Sequence, residues 1–164
     1  MIQRRRVVLL DLVGSTAVIG GALLFQYVGG LQPCELCLIE RWPYYAAIPL
    51  LLLALAAGVR RPIAPAILAV VLIGFLAGSA VAVYHVGVEQ HWFAGPSACT
   101  GPASAAHTIA ELKAQLLNQQ PVRCDVVQWS LFGVSLAGWN LIASLALAGL
   151  SLSALRARGG RRRR

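Results

Sequence analysis

The sequence is short of charge, and above all of negative charge. Only 12% of its 164 residues are charged, and only six are Asp or Glu against fourteen Lys or Arg. A soluble domain carries about twice that share of charge. With 58% hydrophobic residues and a mean hydropathy of +0.70, a core of this length could not hide its apolar surface from water. A bilayer is the natural solvent, and the length fits a single membrane domain spanning residues 1–164. Also missing is any basic stripe interleaved with aromatics. Eleven of the fourteen Lys/Arg residues lie in three clusters: Arg4 to Arg6; Arg60 and Arg61; and Arg156, Arg158 and Arg161 to Arg164. Each abuts a long apolar run. The formal charge of +8 therefore reads as a set of topology signals and not as a nucleic-acid face. There is no internal repeat, and the only low-complexity stretch is Gly159 to Arg164. No small-residue cleavage site follows the first apolar run, so that run is expected to stay as an uncleaved helix.

What is present is four apolar runs. The expected spans are residues 7–28, 42–59, 63–84 and 130–155, each near the ~20 residues that a helix needs to cross a hydrocarbon core. Pro62 and Pro65 suit the first turn of the third helix, where a missing N–H costs little. The fold class expected is all-α, a four-helix transmembrane bundle. The positive-inside rule puts the arginine clusters, and with them both termini, in the cytoplasm. Loops 29–41 and 85–129 then lie in the periplasm, and all four cysteines fall in them. Within the long loop, Ala105, Ile109, Leu112 and Leu116 recur at helical spacing, which predicts a short amphipathic helix.

The four cysteines, Cys34, Cys37, Cys99 and Cys124, allow three pairings, and proximity favours Cys34 with Cys37 and Cys99 with Cys124. Pro33 breaks any helix before Cys34, and a helical pattern follows. The positive end of that helix would stabilise a thiolate. Arg41, four residues after Cys37, would share its helix face and lower its pKa further. A two-residue-spaced disulfide closes too small a loop to matter much for stability, so a reactive dithiol is the better reading. The Cys99 and Cys124 pair sits in a long loop with Gly and Pro, where mobility would help one sulfur reach another.

The segment Gln32-Pro33-Cys34-Glu35-Leu36-Cys37-Leu38-Ile39-Glu40-Arg41 resembles the Pro-Cys-x-x-Cys…Glu-Arg signature of the DsbB family, bacterial quinone-linked membrane proteins that generate disulfides. Phe25-Gln26 resembles the family's first helix. Cys124-Asp125, Trp129 to Ser135 and Trp139 are similar to the start of its fourth. The resemblance implies a multi-pass protein of the bacterial inner membrane. In it, a periplasmic thioredoxin-fold oxidase of the DsbA type attacks the Cys99–Cys124 disulfide, with Cys99 forming the mixed disulfide. Cys124 then attacks Cys34, and Cys37 is released to face a quinone, ubiquinone or menaquinone. It also implies that Arg41 holds the quinone, with His85 nearby, and that the partners are the oxidase, the quinone pool and the bilayer. No metal is implied.

Other residues have plainer readings. Asp11, inside the first span, is expected to snorkel to the cytoplasmic interface or pair with Arg4 to Arg6. Glu40 is expected to form a structural salt bridge. Trp42, Tyr44, Tyr45, Trp92, Trp129 and Trp139 suit an interfacial aromatic belt. Three rival functions fit parts of this pattern. A relative of vitamin K epoxide reductase would carry its loop pair before its Cys-x-x-Cys, the reverse of the order here. A non-enzymatic Cys₄ zinc protein would normally use two Cys-x-x-Cys knuckles, and this chain has one. Electron flow in the opposite direction, from quinol to thiols, depends on potentials that a sequence does not carry.

Overall fold

Glycine and proline mark several of the helix boundaries, although Pro49 and several glycines stand inside helices. In the computed structural model, which describes residues 2–96, 108, 109, 113 and 122–157, helix α1 spans Ile2–Tyr27 and gives way to Gly29 and Gly30, the latter at φ 70°. The short helix α2, Glu35–Ile39, runs almost directly into α3, Trp42–Ala57, which starts on Pro43 and stops at Gly58 with φ 93°. Helix α4, Ile63–Glu89, takes Pro62 as its N-cap. A two-residue hairpin, β1 Ser130–Leu131 with β2 Val134–Ser135, leads into α5, Leu136–Arg156. Among the described residues, four stretches are long and apolar enough to cross a membrane: Gln3–Tyr27, Glu35–Ala57, Ile63–Glu89 and Leu136–Arg156.

Besides the earlier start of α1, at Ile2, and the slightly earlier end of α3, at Ala57, two boundaries differ from expectation. The third span does not stop at Tyr84 but continues to Glu89, so His85 lies within the helix and not at its end. The turn that follows folds back on it: Trp92 N–H donates to the Gly87 carbonyl, and the Phe93 ring lies where a Cβ at Gly87 would stand, 2.2 Å from its nearest atom. The fourth span starts at Leu136 and not at 130. Phe132 and Gly133 both have positive φ, 53° and 78°, which turns residues 130–135 into a hairpin. Ser135 then caps α5 by accepting from Gly138 N–H at 3.2 Å. Within the expected loop helix Thr108, Ile109 and Lys113 are described, the first as a bend and the other two in helical conformation; Ala105, Leu112 and Leu116 lie outside the described residues, as does the tail from Arg158.

The four long helices form a ring: α1 packs on α3 and α5, and α4 packs on α3 and α5. Its core joins Tyr44 and Leu51 of α3, Leu68 and Phe75 of α4, Leu147 of α5 and Val8 of α1. Leu10, Val13, Leu52, Ile73 and Leu145 point outward, as an all-apolar helix requires when its other face meets lipid. The chain is a multi-pass, four-helix membrane bundle. Near one end Ser151 of α5 donates to the Asp11 carboxylate at 2.5 Å. Asp11 is thus buried toward α5 and does not snorkel, since a serine on the facing helix offers it a donor inside the bundle. At the other end Ser135 donates to Glu89, and there the cysteines gather.

Candidate active site

Cys34 occupies the N-cap of α2, where its sulfur accepts from Cys37 N–H at 3.3 Å. One helical turn brings the Cys37 sulfur to 2.8 Å from that of Cys34. Cys34 is buried and Cys37 is half-buried. The Cys34 thiol is pushed well above its ordinary range, first by its hydrogen bond with Cys37 and then by burial, with His85 opposing both.

His85 reaches the pair from α4. Its Nε2 lies 3.6 Å from the Cys34 sulfur, and its Nδ1 lies 2.8 Å from Oε1 of Glu40. Glu40, the residue after α2, is buried and accepts from Asn140 Nδ2 of α5 at 2.8 Å. Tyr44 donates to the other side of the Asn140 amide at 2.6 Å and pairs with Ser144 at 2.8 Å. A buried carboxylate is tolerable only when its lone pairs are engaged, and here two helices engage them. Tyr44 therefore leaves the expected aromatic belt for the interior, whereas Trp42 and Trp92 stay exposed as expected.

Arg41 donates to Gln26 of α1 at 2.5 Å, and not to the Cys37 sulfur. Both side chains line a cavity of about 360 Å³ beside the cysteines. Cys34, Cys37, Glu40 and His85 share its wall, and the rest is mainly apolar: Ala17, Val18, Ala22 and Phe25 of α1, with Trp129 and Trp139. Phe25 packs on Trp129 with ring centroids 4.9 Å apart, which ties α1 to the segment after Cys124. Cys124 itself is buried in one cluster with Cys34, Leu36 and Val88. Arg123 and Asp125 flank it and form a two-pronged ion pair, at 3.0 and 2.6 Å. Cys99 lies outside the described residues.

Five of the six residues singled out from sequence thus fall together: Cys34, Cys37, Cys124, Arg41 and His85. Gln26 was noted only as part of a resemblance, and Asn140 and Glu89 were missed. An amide four residues into an apolar span was a signal for Asn140, because lipid offers it no partner. Among the described residues, Cys34, Cys37 and His85 form a group whose ligand atoms lie within 4.8 Å of one another. Two thiolates on one tetrahedral zinc ion would stand roughly 3.7 Å apart, given Zn–S bonds of about 2.3 Å. Sulfurs at 2.8 Å stand closer than that, near enough to join as a disulfide on oxidation.

Sulfur chemistry at one end of a membrane-spanning bundle defines the class: a membrane-bound thiol–disulfide oxidoreductase. Across residues 4–154 the sequence matches the family profile of Disulfide bond formation protein DsbB, and the chain belongs to that family. A Disulfide bond formation protein B of Methylococcus capsulatus is 31% identical over 155 residues, covering 88% of this chain and 89% of the relative. Its counterpart in Verminephrobacter eiseniae is 32% identical, covering 96% and 88%. That of Burkholderia pseudomallei is 30% identical, covering 96% and 92%. Disulfide bond formation in a membrane is accordingly the activity of the family to which this chain belongs.

Proposed function

We propose that this protein oxidises a periplasmic thioredoxin-fold oxidase of the DsbA type and passes the electrons to membrane quinone. The Cys99–Cys124 disulfide takes the electrons first and the Cys34–Cys37 pair second. The observation that carries this reading is the burial of Cys124 in one cluster with Cys34, although the two come from different loops. Exchange between two pairs needs sulfur within reach of sulfur, and burial in one cluster supports that. The partner's thiolate opens the loop disulfide at Cys99, Cys124 leaves, and Cys124 then attacks Cys34 and displaces Cys37.

The cavity suits a quinone headgroup. Its volume of about 360 Å³ falls within the ~300–1,000 Å³ of small-molecule sites, and its walls are apolar with few polar groups. Arg41, steadied by Gln26, supplies a cation, the Cys37 sulfur borders the space, and His85 completes the wall. Arg41 and His85 are the residues proposed to hold ubiquinone or menaquinone, which when bound supplies an acceptor for two electrons and two protons. No metal enters the scheme. The arginine clusters favour cytoplasmic termini and a periplasmic cysteine end, in a bacterial inner membrane.

The test is purified protein with a reduced thioredoxin-fold partner and a water-soluble quinone. One quinone should be lost for every two partner thiols lost, and Cys37→Ser should abolish the loss. Quinone consumption that survives Cys37→Ser overturns the scheme. So does stoichiometric zinc that shields all four thiols from alkylation. Net reduction of an oxidised partner by quinol would reverse its direction.

A further inference from the structure

We propose that His85, held by Glu40, is the proton carrier of Cys34 during exchange between the two cysteine pairs. This assignment rests on the redox reading above and adds a role to a residue placed there only in the cavity wall.

Geometry comes first. Cys34 and His85 are each 3% exposed, so bulk water has little access to this thiol and the imidazole is the base that stands against it. The ring nitrogens have separate tasks. Tyr44 donates to Asn140 Oδ1, which leaves the Asn140 amino group for Glu40. Glu40 takes that donor on Oε2 and the His85 Nδ1–H on Oε1. Nδ1 is then a permanent donor, and Nε2, facing Cys34, is the nitrogen that gains or loses a proton. A nucleophile, a base and a carboxylate that orients the base follow the logic of a catalytic triad, with sulfur in place of oxygen. A histidine kept only for packing would need no second helix to fix the carboxylate behind it.

The charged groups around the ring are few. Glu40 faces it from the junction of α2 and α3, and the Cys34 and Cys37 sulfurs from α2 and its cap. Glu89, one turn further along α4, is engaged by Ser135, and Arg41 is turned to Gln26 of α1. From α5 the facing group is the neutral Asn140. Cys124 lies in the same cluster as Cys34.

The step balances within the chain. In a Cys34–Cys124 mixed disulfide, the Cys99 thiolate attacks the Cys124 sulfur. The Cys99–Cys124 bond forms and the Cys124–Cys34 bond breaks. Cys34 leaves with the electron pair and takes the proton from Nε2 of His85, which becomes neutral and keeps its Nδ1–H on Glu40. No net oxidation occurs. In the opposite direction Cys34 hands its proton to Nε2 as it attacks.

The experiment isolates one thiol in the full-length protein in detergent. Cys37, Cys99 and Cys124 are changed to Ser, and the alkylation rate of Cys34 by iodoacetamide is followed against pH. Removing a proton-accepting neighbour raises a thiol's pKa, so His85→Ala should move the inflection upward and slow alkylation at neutral pH by at least ~10-fold. His85→Gln keeps a donor for Glu40 but cannot carry a proton, and should behave like His85→Ala; it gives the same readout should the alanine variant unfold. Free imidazole should restore part of the rate in His85→Ala. A pH profile unchanged in His85→Gln overturns the proposal. Because the assay contains neither partner nor quinone, failure of the relay to quinone would leave this result standing, and the reverse.

Discussion

Cys34 and His85 meet across the bundle, sulfur to Nε2 at 3.6 Å, although 51 positions separate them in the chain. That contact ties the loop before α2 to the last turns of α4. It also draws in Glu40, Asn140 and Tyr44, so the redox pair sits at the head of a hydrogen-bonded row. The consequences can be checked one residue at a time.

Arg41 and Gln26 should act together on the acceptor. Arg41→Ala is expected to raise the KM for quinone at least ~10-fold, the scale of one charge-assisted hydrogen bond, while both disulfides still form. Gln26→Ala frees the guanidinium that it now steadies and should give a smaller rise, several-fold, in the same direction. Quinone titrations and a count of free thiols test both. Loss of the disulfides in Arg41→Ala would assign Arg41 to folding.

Asn140 should matter more than its size implies. Asn140→Leu leaves Glu40 Oε2 and the Tyr44 hydroxyl each short of a partner, and should cost about 1–3 kcal/mol of stability. Tyr44→Phe should cost less, because Asn140 keeps its bond to Glu40. Thermal unfolding in detergent ranks the two, and equal losses would argue against the row acting as a unit.

At the opposite end, Asp11 accepts from Ser151 within the bundle. Ser151→Ala is expected to lower stability by roughly 0.6–2 kcal/mol, the range of interhelical hydrogen bonds in membranes. Asp11→Asn, which keeps an acceptor and sheds a buried charge, should be neutral or stabilising. Thermal unfolding of the two variants checks the order, and a reversed order would show that the charge itself is needed.

Asp125 gives an acid-side prediction. Its carboxyl is held below its ordinary value, first by the hydrogen bonds from Arg123. A depressed carboxyl contributes stability above its unfolded value near ~3.9 and loses it as pH falls through the lower folded value. The segment around Cys124 should therefore loosen only in strong acid. The Arg123 side chain is 64% exposed, so the effect should be small and weaken with salt. Pepsin cleavage near Asp125, followed from pH ~5 to ~2, should rise late in the parent protein, and Asp125→Asn should abolish that late rise.

Much of this architecture was legible before any coordinates. Four runs near twenty residues, each bounded by arginine, glycine or proline, mark the spans, because crossing a bilayer is a matter of length and composition. The dithiol was legible too, since Pro33, Cys34 and Cys37 set a helix start by local rules. Misreadings came where local signals conflicted. Val86 and Val88 continue α4, but Gly87 and His91 around them look like loop. Residues 130–135 are apolar enough for a span, yet Phe132 and Gly133 turn them into a hairpin.

The sequence by itself determined that the chain lives in a membrane, that it carries four long apolar runs, and that a Cys-x-x-Cys followed by an arginine stands beside one of them. Tertiary structure alone decided which side chains meet: that His85 turns to Cys34, that Cys124 is buried in the same cluster as Cys34, that Arg41 leans on Gln26, and that Asp11 faces Ser151. The physical reason lies in the solvent. In water an apolar stripe marks the buried face of a helix, but in lipid both faces are apolar and the stripe fades. The rotation and depth of each helix are then set by packing and by a few polar partners on other helices, and those partners are named only when the helices are brought together.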